Sequence, residues 1–327
     1  MKCINKILFL ISILCVTFVL CACGELEYAM PYDVDTDVSS YSVGVSKDAY
    51  KASAFASNLC VIGGDIIVGD EIEEGTSAYA AAGVFDVDAA NAIYSRNIFS
   101  KLYPASMTKV MTALVAMKNG SKDDMITCTD SVYITESGAT LCGFEAGDRL
   151  SLDQAMHAML MYSGNDAAIA IAESVGGSVE NFANMMNEEA LRLGATNTHF
   201  VNPNGLHDEN HYSTPYDMYL IFNEAIKYDW FNEIINMNSY VTAYTNSNGD
   251  TVELEIETTN KFLKGDVAAP SNVTVIGGKT GTTQAAGSNL ILLSRNTGGK
   301  PFISIVQKAD DSGILYKKMN SLLSDIP

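Results

Sequence analysis

Ser106 and Lys109 stand three residues apart at the head of an apolar run, Val110-Met111-Thr112-Ala113-Leu114-Val115-Ala116-Met117. The run reads as a helix, and side chains at i and i+3 share one face of it. Pro104 gives that helix a rigid entry and places Ser106 in the first turn. Unpaired backbone N–H groups and the helix dipole there favour negative charge developing on oxygen. A serine hydroxyl becomes a useful nucleophile when a base takes its proton, and a neutral lysine amine within reach is such a base. Standing alone, the pair is also the ordinary pattern of a helix start followed by an exposed lysine.

Two further stretches carry polar side chains that could serve such a nucleophile. Tyr162-Ser163-Gly164-Asn165-Asp166 falls between two apolar segments of helical spacing. Read by itself it is turn and N-cap chemistry. Gly277-Gly278-Lys279-Thr280-Gly281-Thr282-Thr283 ends an apolar, β-branched run. Glycines on a strand let another backbone approach closely, and a lysine beside threonine hydroxyls suits a carboxylate. A phosphate-binding loop is the competing reading of Gly-Lys-Thr. It requires glycine where Val273 stands and a helix afterwards, so it is set aside.

These residues need elements to hold them. Residues 60–68 could form a short strand, and residues 79–87 and 92–96 read as a hairpin of two strands. Helices are expected over the Ser106 run, from Leu152 to Met161, over residues 178–193 ending at Gly194, and from Thr214-Pro215-Tyr216-Asp217 onward. Residues 239–246 and 251–258 flank Asn248-Gly249, a hairpin turn signal. Strands over 273–282, 288–295 and 301–308 follow, and a helix over 313–323 closes the chain. Strands at both ends with helices between predict an α+β unit: one antiparallel sheet of N- and C-terminal segments, flanked by helices, with a helical lobe.

Taken in order, Ser106-x-x-Lys109, Ser163-x-Asn165 and Lys279-Thr280-Gly281 resemble the three-part signature of penicillin-recognising serine enzymes. Phe200-Val201-Asn202-Pro203-Asn204-Gly205-Leu206, His211-Tyr212-Ser213-Thr214 and Ala286-Gly287 extend the likeness from about Ala80 to about Lys308. The family it is most similar to is the D-alanyl-D-alanine carboxypeptidases, the low-molecular-weight penicillin-binding proteins. The resemblance implies a β-lactamase/transpeptidase-like fold and removal of the terminal D-alanine from peptidoglycan stem peptides through an acyl-enzyme on Ser106. It implies Lys109 as base, Ser163 as proton relay, and Asn165 orienting Lys109 and the substrate amide. Lys279, Thr280 and Thr282 are expected to bind the terminal carboxylate. The backbone N–H groups of Ser106 and Thr282 are expected to form an oxyanion hole. β-Lactam antibiotics are expected as inhibitors, with no cofactor and no metal.

Three rivals are weaker. A class A β-lactamase adds a glutamate that activates the deacylating water, and no such acidic loop follows Ser163; Asn202-Pro203-Asn204-Gly205 stands in that region. A zinc enzyme needs spaced ligands. His207 and His211 are four apart but flanked by turn residues, and there is no His-Glu-x-x-His. A catalytically impaired penicillin-binding sensor or cell-wall binding protein would not need all three motifs intact.

The chain's start carries an address. Lys2 and Lys6 precede an apolar core from Ile7 to Leu20, a secretory signal pattern shorter than a membrane span. Leu20-Cys21-Ala22-Cys23-Gly24 resembles a bacterial lipobox, which implies cleavage after residue 22 and lipidation of Cys23. Residues 1–22 are thus expected to be a lipoprotein signal, residues 23–76 an acidic tether on the outer face of the cell membrane, and residues 77–327 the catalytic domain. Removing the signal takes two of the 20 basic residues and none of the 39 acidic ones, leaving a net charge of −21. That excess argues against nucleic acid as a partner. Members of the family commonly carry a β-rich domain after the catalytic one, whose role the lipid and tether are expected to take from the other end. Cys60, Cys128 and Cys142 lie beyond the signal, and a Cys128–Cys142 bridge or three free thiols both fit their positions.

Overall fold

The computed structural model describes residues 59–66 and 79–327. The expected signal, the lipidation site Cys23 and the tether fall outside the described residues, apart from the short stretch 59–66. Among the described residues, no helix is long and apolar enough to cross a membrane.

A five-stranded antiparallel sheet carries the fold. Its strands are β1 (Ala81–Asp86), β2 (Asn91–Arg96), β7 (Val273–Thr283), β8 (Gly287–Asn296) and β9 (Pro301–Ala309), in the order β2-β1-β9-β8-β7. This is the expected sheet of N- and C-terminal segments. Its central strands are buried on both faces, which is why Leu290-Ile291-Leu292-Leu293 and Phe302-Ile303-Ser304-Ile305-Val306 read as continuous apolar runs. One face packs against the C-terminal helix, α8 (Ser312–Ser324), through Leu290, Leu292, Phe302 and Val306 meeting Leu315, Met319 and Leu323. The other face, with Phe85, Ile291, Leu293, Ile303 and Ile305, covers the main core.

The helical layer is built around α1 (Lys109–Asn119), whose residues from Lys109 to Met117 are all buried. A helix buried on every side needs apolar residues all round, and α1 has them except for Lys109 and Thr112. Around it lie α2 (Leu152–His157), α3 (Asn165–Gly176), α4 (Val179–Arg192), α5 (Pro215–Ala225) and α6 (Asp229–Ile235). Thr214 is the cap expected, accepting from Asp217 N at 3.0 Å with Pro215 in the first turn, and Ser178, just outside α4, caps it by accepting from Asn181 N. The short α7 (Lys261–Lys264) precedes β7.

The structure departs from expectation in three places. The hairpin around Asn248-Gly249, β5 (Ser239–Thr245) and β6 (Thr251–Glu257), does not join the main sheet. It forms a second antiparallel sheet with β3 (Met125–Thr127) and β4 (Arg149–Ser151), in the order β3-β4-β5-β6. Tyr240, Tyr244, Leu254 and Ile256 face inward, and Glu253, Glu255 and Glu257 line the outer face of the edge strand, where charge discourages pairing with another chain. The strand expected at 60–68 is reduced, in its described part, to a single bridge between Ile66 and Ser95. The Leu152 helix is not uniform: after His157 it widens into a π-turn, Ala158–Tyr162, a distortion common at functional sites.

Candidate active site

Ser106 lies in a 3₁₀ turn, Ala105–Thr108, that leads directly into α1. The turn is tight, and Ala105 is held at φ 48°, a left-handed conformation that costs a non-glycine residue roughly 1–2 kcal/mol. Two backbones press against it. Gly281 of β7 lies so close that a Cβ there would stand 3.0 Å from Ser106 N and 2.8 Å from Pro104 O. Gly205 approaches from the other side, where a Cβ would stand 2.0 Å from Ala105 O. The glycines of the Lys-Thr-Gly and Asn-Pro-Asn-Gly stretches thus fix the nucleophile's turn between them.

Lys109, one turn on, is wholly buried. Its Nζ is 3.0 Å from Ser106 Oγ, 2.6 Å from Asn165 Oδ1 and 2.7 Å from Asn204 O. Burial, and then the charge of Lys279, hold this amine well below the ordinary lysine range. A neutral amine has two N–H donors and one lone pair. Asn165 Oδ1 and Asn204 O can only accept, so they take the two donors, and the lone pair is left facing the Ser106 hydroxyl. The geometry is that of a base waiting beside its nucleophile.

Asn204 O was not anticipated, since a backbone carbonyl has no signature in residue types. The loop that presents it is fastened by its own asparagines: Asn202 Oδ1 accepts from Gly205 N at 2.7 Å, and Asn204 Oδ1 accepts from Leu206 N at 3.0 Å. Thr112 Oγ1 donates to Pro203 O at 2.6 Å, tying the loop to α1. His211 completes the tie. Its Nδ1 accepts from Val201 N at 3.2 Å, so the neutral ring carries its proton on Nε2 and donates to Thr108 Oγ1 at 2.7 Å. Burial pushes this ring down to about 4, so it stays neutral near pH 7. Both ring nitrogens are committed within the protein, and His207 instead packs edge-on against Tyr103. Among the described residues, no cluster of metal-ligating side chains forms.

Ser163 closes the π-turn in the left-handed conformation, φ 73° and ψ 26°, and α3 begins two residues later at Asn165. The strained bend turns the hydroxyl toward β7, where it accepts from Lys279 Nζ at 3.0 Å. Backbone strain of this kind costs roughly 1–3 kcal/mol and persists where surrounding contacts enforce it. Those contacts include Asp166, buried beside the motif. Its two oxygens accept from the backbone N–H groups of Cys142, Gly143, Phe144 and Ala167 at 2.8–3.2 Å. Asn165 N donates to Thr140 O at 2.9 Å. Asn165 and Asp166 together therefore hold residues 140–144, with Thr140 at the edge of the site, a role not visible in their reading as turn chemistry. Cys60, Cys128 and Cys142 are all free, so the bridge considered between the last two is absent.

The pleat of β7 separates the three residues expected to hold a carboxylate. Lys279 and Gly281 point into the protein, whereas Thr280 and Thr282 alternate toward the outer side. Lys279 is 1% exposed and donates to Ser163 Oγ and to Thr280 O, both at 3.0 Å. Burial lowers it to about 7. Two clefts meet at Ser106. One, of about 250 Å³, includes Ser163, Thr280 and Thr282; the other, of about 580 Å³, includes Glu136, Thr140, Asn165 and His207. A nucleophile, a buried amine, a second hydroxyl and a paired lysine thus converge between two open grooves.

The family model described as D-alanyl-D-alanine carboxypeptidase matches residues 71–311. The chain belongs to that family. It is similar to D-alanyl-D-alanine carboxypeptidase DacF of Bacillus subtilis, 32% identical over 231 residues, which cover 69% of this chain and 56% of the relative. Against D-alanyl-D-alanine carboxypeptidase DacC of Escherichia coli the identity is 32% over 238 residues, covering 70% of this chain and 56% of the relative. The match thus spans little more than half the length of these curated relatives. Among solved structures, a variant of the Streptomyces K15 DD-transpeptidase superposes with a TM-score of 0.70 at 25% identity, covering 77% of this chain and 98% of that one. Penicillin-binding protein D2 of Listeria monocytogenes, in its cefotaxime-bound form, gives 0.63 at 26% identity, covering 76% and 96%. The likeness supports the α+β class read from the order of elements and the β-lactamase/transpeptidase-like fold that the resemblance implies.

Proposed function

We propose that this protein is a serine-type D-Ala-D-Ala carboxypeptidase that removes the last D-alanine from peptidoglycan stem pentapeptides and is acylated by β-lactams. The observation that carries the reading is the placement of Lys109 Nζ, with two obligate acceptors for its hydrogens and Ser106 Oγ at 3.0 Å. In the first step Ser106 Oγ bonds to the carbonyl carbon between the two D-alanines as its proton passes to Lys109 Nζ. The backbone N–H groups of Ser106 and Thr282 receive the oxyanion, a reading supported by the close approach of Gly281, next to Thr282, to Ser106 N. One such donor is worth roughly 3–4 kcal/mol. The C–N bond then breaks, and the proton reaches the leaving amine by way of Ser163, which Lys279 orients. Asn165 positions Lys109 and the amide of the substrate, and Thr280 and Thr282 offer hydroxyls to the terminal carboxylate. Water attacks the ester next, Lys109 takes its proton, and Ser106 is restored. Nothing in this sequence of steps calls on a cofactor.

The purified protein is expected to release D-alanine from diacetyl-Lys-D-Ala-D-Ala and to form a covalent adduct with labelled penicillin. Adduct formation without D-alanine release would point instead to a sensor or a transpeptidase. Rapid turnover of penicillin would point to a β-lactamase.

The two lysines predict the pH profile. The reaction needs Lys109 neutral and Lys279 charged. Activity therefore rises with pH as Lys109 loses its proton and falls as pH passes Lys279, at about 7 in the free enzyme. The two requirements act in opposite directions, so kcat/KM against pH should be a bell. Replacing Lys279 by arginine, which stays charged, should remove the alkaline limb even as geometry lowers the maximum. An alkaline limb unchanged in Lys279→Arg would count against Lys279 as its source.

For the rest of the chain, the reading is export through residues 1–22, a lipid on Cys23, residues 23–76 as a tether and residues 77–327 as the catalytic domain, on the outer face of the membrane. Acyl chains contribute about 0.8 kcal/mol per buried methylene, enough for a multiply acylated cysteine to hold a domain there. A Cys23→Ser variant should leave the membrane fraction; its retention there would count against the anchor.

A further inference from the structure

The smaller cleft beside Ser106 contains a cation that the mechanism above does not use. Lys261 is the first residue of α7 and lines this cleft together with Thr259, Thr280 and Thr282. Its backbone is fixed: Lys261 N donates to Tyr316 Oη at 3.0 Å, and the preceding Asn260 caps the helix by accepting from Phe262 N at 3.1 Å. Its side chain is fixed as well. Nζ donates to Ser312 Oγ at 2.8 Å and lies 5.4 Å from the centre of the Tyr316 ring.

What Lys261 lacks is an anion. Lys118, Lys122, Lys227 and Lys264 each pair with a glutamate, as expected in a chain with 39 acidic and 20 basic residues. Lys261 is half-buried, and among the described residues no carboxylate lies within ion-pair distance of it. A partly desolvated ammonium is unfavourable without a counter-charge, and among the described residues its partners are the neutral Ser312 hydroxyl and the Tyr316 ring. Much of the rest of the wall is hydroxyl, beside Gly281, Asn289 and Leu315: Thr259 and Thr280 hydrogen-bond each other at 2.6 Å, and Thr282 lines the cleft with Ser106. A cleft of hydroxyl donors around one unpaired ammonium fits a carboxylate, whose two oxygens accept from several donors at once. Lys279 is placed differently. It is 1% exposed behind the strand, with its donors directed to Ser163 and to its own neighbour's carbonyl.

We propose that Lys261 is the side chain that ion-pairs directly with the carboxylate at the substrate's C-terminus, with the Thr280 and Thr282 hydroxyls completing the clamp, while Lys279 acts from behind through Ser163. The proposal rests on the reading that a peptide with a free C-terminus is bound on this side of Ser106. It makes Lys261 the residue that restricts the enzyme to free carboxylates.

The test compares diacetyl-Lys-D-Ala-D-Ala with its C-terminal amide, using the purified protein. The unmodified enzyme should prefer the acid. In Lys261→Met that preference, taken as the ratio of kcat/KM values, should fall about 10- to 100-fold, mostly through KM, as expected for loss of one charge-assisted hydrogen bond. Lys261→Arg should restore most of it, which a merely structural role at the start of α7 would not explain. An unchanged ratio in a folded Lys261→Met protein overturns the proposal. If the unmodified enzyme releases no D-alanine, the carboxypeptidase reading fails by itself. The same ratio is then read from Ser106 acylation by benzylpenicillin and by its methyl ester, where loss of discrimination in Lys261→Met supports the clamp. Equal acylation by acid and ester in the unmodified protein overturns it.

Discussion

Replacing Ser106 by alanine should lower the rate of D-alanine release by up to about 10⁶-fold, and replacing Lys109 by methionine should cost nearly as much. Making both changes together should cost no more than the larger of the two. The reason is geometric. Lys109 Nζ has one lone pair left after Asn165 Oδ1 and Asn204 O take its hydrogens, and that lone pair addresses a single atom, Ser106 Oγ. Lys109 deprotonates Ser106 and then the water that attacks the ester Ser106 has formed, so it contributes nothing once the nucleophile is gone, and a hydroxyl without its base is close to inert at neutral pH. The double-mutant cycle is read from single-turnover acylation by a penicillin and from D-alanine release. Additive losses would show that some other group, rather than Lys109, takes the proton.

Gly205→Ala should lower acylation by at least about 10²-fold and cost on the order of 3 kcal/mol of stability, although residue 205 contributes no side chain. Two effects coincide there. Its φ of +82° is left-handed, and a Cβ would stand 2.0 Å from the carbonyl oxygen of Ala105, the residue before the nucleophile. The Ser106 turn and the Asn204 carbonyl that steers Lys109 cannot both keep their places. Gly249→Ala separates the effects. Gly249 has φ +90° but nothing within 4 Å of its would-be Cβ, so it should cost about 1 kcal/mol and leave acylation as it was. Thermal melting and the second-order rate of penicillin acylation measure both variants. Equal acylation in Gly205→Ala and the unmodified protein would show that the turn yields more easily than its packing implies.

How much of this was readable beforehand depends on whether the information sits in side-chain type. Ser106, Lys109, Ser163, Asn165 and Lys279 were all named from short local patterns, and the structure brings them together. Asn204 O and the backbone N–H groups held by Asp166 were not, because a main-chain group has no residue-type signal and its use depends on tertiary placement. Lys261 has another reason to escape the sequence: nothing near it in the chain marks it, and its meaning comes from lacking a carboxylate partner among the described residues. The main sheet was legible because β8 and β9 are long and apolar. The second sheet was not, because β3 and β4 are three residues each, too short for alternation to show. The π-turn reads as ordinary helix in the sequence, since one extra residue in a turn leaves the apolar spacing nearly intact. The alternation along β7, which buries Lys279 and turns Thr280 and Thr282 the other way, is a property of the strand that the motif Lys-Thr-Gly does not spell out.

The burial of Lys109 and Lys279 has a thermodynamic consequence beyond the reaction. Both amines bind protons less readily in the folded chain than in the unfolded one, so unfolding takes up protons wherever pH lies below the ordinary lysine value of 10.5 and above the lowered ones. Stability should therefore climb with pH from about 7 upward. The climb ends near 9.0, where the thiols of Cys60, Cys128 and Cys142, raised by burial, begin to ionise more readily in the unfolded chain and pull the balance back. A melting temperature that rises between pH 7 and 8.5, and rises less in Lys109→Met, is the expected signature; a flat curve would count against it. By the same linkage Lys109→Met, though inactive, should melt above the unmodified protein near neutral pH. The lysine that equips the fold for chemistry holds it below the stability it could otherwise reach.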